Sequence, residues 1–126
     1  MEKQLRYALL QVVPELTGAL YPTNAPESSK KPYLVYTRIN TKRTKTLSGY
    51  TDKQALSYLF SVMATKYEDM KALAAKVEAF LIALPNTNIG EGDPIYVEDL
   101  EINNISEVYE FELKVNRGII DFTIYF

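Results

Sequence analysis

The chain reads as an α+β fold: a two-layer sandwich in which one mostly antiparallel sheet of about four strands carries two helices on one face and an extended β-arm. Three observations predict it. Two segments carry apolar stripes at helical spacing: Leu5, Leu9, Val12 and Leu16, then Met70, Leu73, Val77, Phe80, Leu81 and Leu84. Four others are β-branched and aromatic, and ten tyrosines and five phenylalanines without tryptophan suit aromatic sheet faces. The order helix, strand, strand, helix, strand, strand pairs consecutive strands and obliges both helices to bury their stripes on the same face.

The first helix spans Glu2 to about Val13, with Ala8 beside its stripe. Pro14 removes a backbone donor and predicts a kink or restart through Leu16, and Gly18 closes the segment. Residues 21–32 form a loop: Pro22, Pro26 and Pro32 with Asn24, Ser28 and Ser29 leave no periodicity, which makes it the most mobile segment expected. Tyr33 to Asn40 is a strand with apolar groups on both faces, hence central in the sheet. The following Thr-Lys-Arg-Thr-Lys-Thr alternates threonine with cations up to Leu47-Ser48-Gly49, an exposed β-arm or long hairpin loop that nothing in an isolated subunit holds down.

Gln54 to Ala64 has the clearest period of two, with Leu56, Tyr58, Phe60, Val62 and Ala64 on one face and Ser57 and Ser61 on the other. Thr65 with Glu68 three residues on reads as a capping box opening the second helix, which Pro85 ends. Residues 86–94 read as a loop, and the lone Gly90-Glu91-Gly92 lacks the flanking strand and helix of a phosphate site. Ile95 to Asn104 is a third, acidic strand, and Ser106 to Glu110 a turn or bend. In the last segment Phe111, Leu113 and Val115 share one parity, while Ile120, Phe122, Ile124 and Phe126 share the other. A β-bulge at Gly118, or a tight turn over Asn116-Arg117-Gly118, accounts for the phase change.

With 126 residues the chain fits one domain, 1–126, large enough to fold without disulfides or metal. It has no cysteine and no histidine, which removes thiolate sites, cysteine nucleophiles, imidazole bases and His-based triads. No run approaches the roughly 20 apolar residues of a membrane span. The opening Met-Glu-Lys-Gln-Leu-Arg lacks the apolar stretch of a secretion signal, so a soluble protein made in a cytoplasm is expected.

Charge is sorted by region. From Ser29 to Lys53 there are seven basic residues against Asp52 alone; from Glu91 to Glu112 there are eight acids and no base. The formal net charge of -2 conceals this separation. A domain with one positive and one negative patch attracts copies of itself head to tail, making rings or filaments, provided the patches do not neutralise each other within one subunit. The competing reading is an unevenly solvated surface. The residues expected at such an interface are Lys42, Arg43 and Lys45 on the arm and Glu98, Asp99 and Glu101 on the acidic strand. Asp99 and Glu101 share a face that Glu98 does not, and two same-side carboxylates without a third ligand make a poor metal or acid–base site. The arm could touch phosphates, but it has no aromatic platform and the pI near 5.2 is unlike that of nucleic-acid domains. No catalytic residue, metal site or cofactor is expected.

The Pro-Tyr-Leu-Val-Tyr strand (32–36), the polar arm ending in Leu-Ser-Gly (47–49), the helix opening Lys-Tyr-Glu-Asp-Met-Lys-Ala-Leu-Ala (66–74) and the terminal Asp-Phe-Thr-Ile-Tyr (121–125) together resemble the tail completion proteins of long-tailed bacteriophages and prophages, a group that includes head-to-tail joining and tail terminator proteins. The likeness follows element order over the whole chain, and departs from the family pattern at 108–117. It implies a structural, non-enzymatic virion protein, assembled in the bacterial host cytoplasm. Such a protein forms a ring, usually a hexamer, on the tail tube protein and meets the head connector, while DNA passes without sequence recognition and no membrane is involved. The alternative from another class is a small α+β ligand-binding or regulatory module, dimeric through its sheet edges.

Overall fold

Burial of one face of a sheet organises the chain. The computed structural model describes residues 1–23 and 32–126. In order the elements are α1 (Glu2–Val12), a 3-10 turn (Pro14–Leu16), β1 (Leu20–Pro22), β2 (Tyr33–Thr46), β3 (Gly49–Ala64), α2 (Tyr67–Ile82), β4 (Thr87–Ile89), β5 (Ile95–Val97), β6 (Asp99–Glu110) and β7 (Val115–Tyr125). The main sheet has the order β1-β2-β3-β7-β6, with β1 parallel to β2 and every other pair antiparallel; β4 and β5 form a separate ribbon. The expected architecture stands, with five strands instead of about four. The extra strand, β1, lies partly within the loop expected from its prolines; the rest of that loop, 24–31 with Lys30 and Lys31, falls outside the described residues.

The alternation read in β3 is the one that faces the helices. Leu56, Tyr58, Phe60, Val62 and Ala64 are buried together with Ile120, Phe122 and Ile124 of β7 and Leu34 of β2. Phe60 meets Phe122 edge-on at 4.8 Å between centroids, and Tyr58 stacks on Phe122 at 5.7 Å. Met70, Leu73, Val77, Phe80, Leu81 and Leu84 are all buried against this layer. Burying six such side chains is worth on the order of 10 kcal/mol before chain entropy opposes it. Burial also pushes the Tyr58 phenol well above its usual range, because its anion would lie in an apolar core.

Four local expectations are corrected. Val13, not Val12, joins the core: α1 ends before Pro14, the Val13 backbone turns to an extended ψ, and Val12 is left 58% exposed. The capping box does not form, since Lys66 holds the cap position without a side-chain bond. The Thr65 carbonyl is instead tied to the sheet by Asn116 Nδ2 at 3.1 Å, and the helix starts after it. Residues 106–110 are not a turn: they continue β6, an edge strand whose residues are exposed or half-buried, so its pattern carries no alternation of buried positions. Gly118 neither bulges nor turns. It pairs in register with Val62 and Glu107, the chain reverses at 111–114, and the register shift between β6 and β7 falls at Ile102/Asn104.

Gly118 is there for α2. A Cβ at this position would sit 2.8 Å from Met70 Sδ and 3.6 Å from Ala74 Cβ, so the missing side chain lets the helix approach the sheet. Apparent parity changes because Val115 packs with Tyr33, Val35 and Met63 on the opposite face, while Phe111 and Leu113 belong to the exposed turn. At the surface, Lys71 of α2 bridges Glu107 of β6 at 3.1 Å, and Lys76 bridges Glu15 at 2.6 Å.

Gly118→Val should destabilise the fold by about 1–3 kcal/mol in urea denaturation, because the added branches displace a fully buried Met70. Met70→Ala in the same chain should give less than the sum of the two single losses, as expected for groups that share one space. A second expectation concerns acid. The Tyr67 hydroxyl and the Lys71 ammonium hold the Glu107 carboxyl below its ordinary value of 4.5. A carboxylate with a depressed folded value adds stability above its unfolded value and loses it as pH falls through the folded one. Glu107→Gln should therefore show a smaller drop in denaturation midpoint than the unmodified chain when pH is lowered from neutral to about 3.

Candidate functional site: the charged edges and the arm

Among the described residues, no helix covers the second face of the sheet, and both edges are largely open. β1 pairs only with Leu34, Val35 and Tyr36, so among the described residues β2 has no outer partner from Thr37 to Thr46. β6 has none along its whole outer side. Unpaired strand edges offer rows of backbone donors and acceptors to another chain.

The β-arm is a continuation of β2 and β3. Strand pairing runs from Tyr33↔Met63 out to Thr46↔Gly49, while β7 accompanies β3 only from Ala55 onward. Gln54 still exchanges backbone bonds with Phe126, so five residues of β3, 49–53, extend past the body by roughly 17 Å at the rise of a strand. Register shifts between Arg38 and Asn40 and between Arg43 and Lys45 mark where the hairpin bends. Its base is pinned by Arg38 Nε, 3.5 Å from Glu2. Every residue from Arg38 to Ser48 is exposed. Threonine-rich alternation accounts for the local form: β-branched residues favour extended backbone, and the intervening cations keep the ribbon in water.

Lys42, Arg43 and Lys45 all lie on this hairpin, and no ion pair engages any of them among the described residues. Lys45 Nζ lies 5.3 Å from the centre of the Tyr50 ring. Asp99 and Glu101 open β6 on the uncovered face, opposite Tyr125 and Thr123. Lys42 occupies the same cross-strand row as Asp99, through Ala55 and Tyr125, so three strand spacings, roughly 14 Å, separate the two backbones. That exceeds the screening length of about 8 Å at physiological salt.

Among the described residues, the two charge blocks touch at one point. Lys53 Nζ bonds Glu98 Oε1 across the end of the sheet, beside the backbone bond from Glu98 N to the Tyr125 carbonyl at 2.8 Å. Glu98 is thus engaged within the subunit, as are Glu107 by Lys71 and Glu110 by Arg117. Asp99, Glu101, Glu91 and Asp93 are paired with no cation among the described residues.

Beside the buried cluster of Tyr33, Val35, Met63 and Val115, the uncovered face carries polar groups bonded to one another. Arg117 donates to Ser61 Oγ through Nε (3.1 Å) and Nη2 (2.9 Å) and to Glu110 through Nη1 (3.2 Å). Asn103 donates to Asp121 and Thr123, and Ser57 shares a bond of 2.9 Å with Thr123. Among the described residues, no three acidic side chains converge on a common point where a metal ion could sit.

Sequence reasoning missed two apolar features here. Tyr109, Phe111 and Leu113 stand out of the β6–β7 turn, with Phe111 82% exposed and edge-on to Tyr109 at 5.0 Å. A groove of about 430 Å³ also opens between α1, α2 and β4. Phe111 and Leu113 carry the parity of a buried strand, and Val12 the spacing of a core stripe; only the observed reversal and helix end show that these residues face outward.

Comparison with known proteins places this geometry. The family model described as "Tail completion protein gp17" matches residues 3–126. No curated protein sequence matches the chain. Among solved structures, a chain of the "Virion of native gene transfer agent (GTA) particle" shares the fold at a TM-score of 0.68 and 17% identity, over 98% of this chain and 89% of the other. A match over nearly the whole length decides the family: the chain belongs to the tail completion proteins, a family of structural phage tail proteins.

Proposed function

We propose that this tail protein is the subunit of a ring, a hexamer by the resemblance of its sequence, that caps the tail tube and joins it to the head connector, with residues 1–126 acting as one domain. The observation that carries the ring is the opposite charge of the two open sheet edges. Arg38, Lys42, Arg43 and Lys45 line β2 and its arm, whereas Asp99, Glu101, Glu107 and Glu110 line β6. Lys42, Arg43 and Lys45 engage Asp99 and Glu101 of the next subunit. Glu98 contributes by exchanging its own Lys53 for that partner or by sharing it.

The strand directions suit such a contact. β2 runs antiparallel to β6 within the subunit, so a cyclic repeat sets β6 antiparallel to the β2 edge of its neighbour. The contact is heterologous and closes only by rotation, which is the requirement of a ring. Burial on the order of 1,200–2,000 Å² would make it stable. The acids Asp99, Glu101 and Asp121 on the uncovered face suit a lumen through which DNA passes without adhering. Assembly takes place in the bacterial host, and the finished protein resides in the virion.

Simultaneous reversal of Lys42, Arg43 and Lys45 to Glu should leave the melting temperature unchanged, since all three side chains are exposed and unpaired among the described residues. Rings in negative-stain images and the joining of tails to heads should both be lost. Rings and joined particles at unmodified yield would show the assignment of these residues to be wrong.

A further inference from the structure

Resting on the ring reading, we infer that the apolar groove between α1, α2 and β4 is the socket for the arm tip of the neighbouring subunit, with Leu47 as the inserted side chain. The groove holds about 430 Å³ and is walled by Tyr7, Val12, Phe80, Ala83, Leu84 and Ile89, without a charged residue anywhere in its lining. Val12 is the wall residue whose spacing belongs to the core stripe but whose side chain stays largely in water. Leu47, for its part, is fully exposed at the end of the arm, with Tyr50 beside it largely exposed as well. Among the described residues, nothing in a single subunit fills the one or covers the other.

Charge selects the arm tip as occupant. The tip itself, Leu47-Ser48-Gly49, is uncharged, matching the lining of the groove. Lys45 follows immediately down the arm, and Arg43 behind it. On the other side, Gly90 ends the groove wall and leads directly into Glu91 and Asp93 of the exposed β4–β5 loop. An apolar tip on a basic stem therefore meets an apolar groove with an acidic rim. The loop is held in place for this: Gln4 Nε2 donates to the Asp93 carbonyl at 3.0 Å, and Gly90 sits so close to Gln4 that an added Cβ would lie 2.5 Å from Gln4 Cγ. A second exposed apolar group, Phe111 with Leu113, makes a poorer match, because Glu112 between the two side chains is acidic like the rim and Lys114 is the one cation adjoining them in sequence.

The inference also locates the work of the arm's length. The reach of roughly 17 Å carries Leu47 beyond the edge contact of β2 with β6, onto the helical layer of the next subunit. Edge pairing alone would need no arm of that length.

The cysteine-free chain allows a direct test, since a disulfide forms only where two Cα atoms approach within about 7 Å. Chains carrying Leu47→Cys and Val12→Cys are prepared separately, mixed at assembly concentration and oxidised. The expected result is a covalent dimer from the mixture, far exceeding any from either variant alone, and a ladder of multimers when both cysteines are in one chain. Leu47→Asp should weaken ring assembly at least tenfold in concentration while leaving the melting temperature unchanged. Rings in electron micrographs without the mixed disulfide would overturn the socket and leave the ring standing. A disulfide from Val12→Cys to Phe111→Cys would do the same and identify the β6–β7 turn as the occupant. A chain that stays monomeric by light scattering at every concentration tested, and on tail tubes, would overturn the ring and the socket together.

Discussion

Everything exposed in this protein follows from the contact between α2 and the β3–β7 face. Tyr58, Phe60 and Phe122 form an aromatic floor whose rings touch one another, and the helix lays Met70, Val77 and Phe80 onto it. The missing side chain at Gly118 sets how closely Met70 and Ala74 approach. With α1 packed on the same side, the main core lies on one face of the sheet, and the second face carries the smaller cluster of Tyr33, Val35, Met63 and Val115. The sheet edges need no covering for the fold to persist. A core that is complete on one side frees the other side and both margins for contact with other chains.

The electrostatic pattern looks different in three dimensions from its appearance along the chain. Eight successive acids without a base suggest a uniform negative flank, yet Glu98, Glu107 and Glu110 each have a cation from elsewhere in the fold. Among the described residues, those left unpaired are Asp99 and Glu101 at the start of β6, Glu91 and Asp93 in the β4–β5 loop, and Glu112 in the β6–β7 turn. On the basic side Arg38 and Lys53 are engaged, and the arm keeps Lys42, Arg43 and Lys45. Exposed pairs of this kind contribute little to stability, between about 0 and 1 kcal/mol each. Their value lies in removing charge from places where a neighbour would not meet it.

How far the fold could be read from the chain depends on where burial is one-sided. β3 and α2 were legible residue by residue, because one face of each is dry and the other wet. The arm was legible from composition, since threonine alternating with lysine and arginine can neither bury nor coil. The edge strand β6 was read too short: with residues exposed on both faces, Glu107 to Glu110 show no alternation to detect. Gly118 was given the wrong reason, because a glycine permitting a helix to approach looks, in one dimension, like a glycine permitting a bend. Val12 and Val13 are adjacent and chemically identical, so only the helix end at Pro14 decides which of them enters the core. The opposed charges of the arm and of β6 were visible in sequence, but the apolar groove, assembled from three elements distant along the chain, was not.

Open edges carry a hazard as well as an opportunity, and the charge on each edge bears on it. Two copies of β6 brought edge to edge would set Asp99, Glu101, Glu107 and Glu110 against their own kind, and two arms would oppose Lys42, Arg43 and Lys45 to themselves. Like charges across a strand pair are destabilising, so both isologous pairings are disfavoured. Only the pairing of unlike edges escapes this penalty, and it is heterologous by construction. A neutral edge of the same length would accept either arrangement and would lead to closed dimers or irregular aggregates. Segregating charge by strand thus does what no single ion pair could: it disfavours both like-edge pairings of these sheets at once.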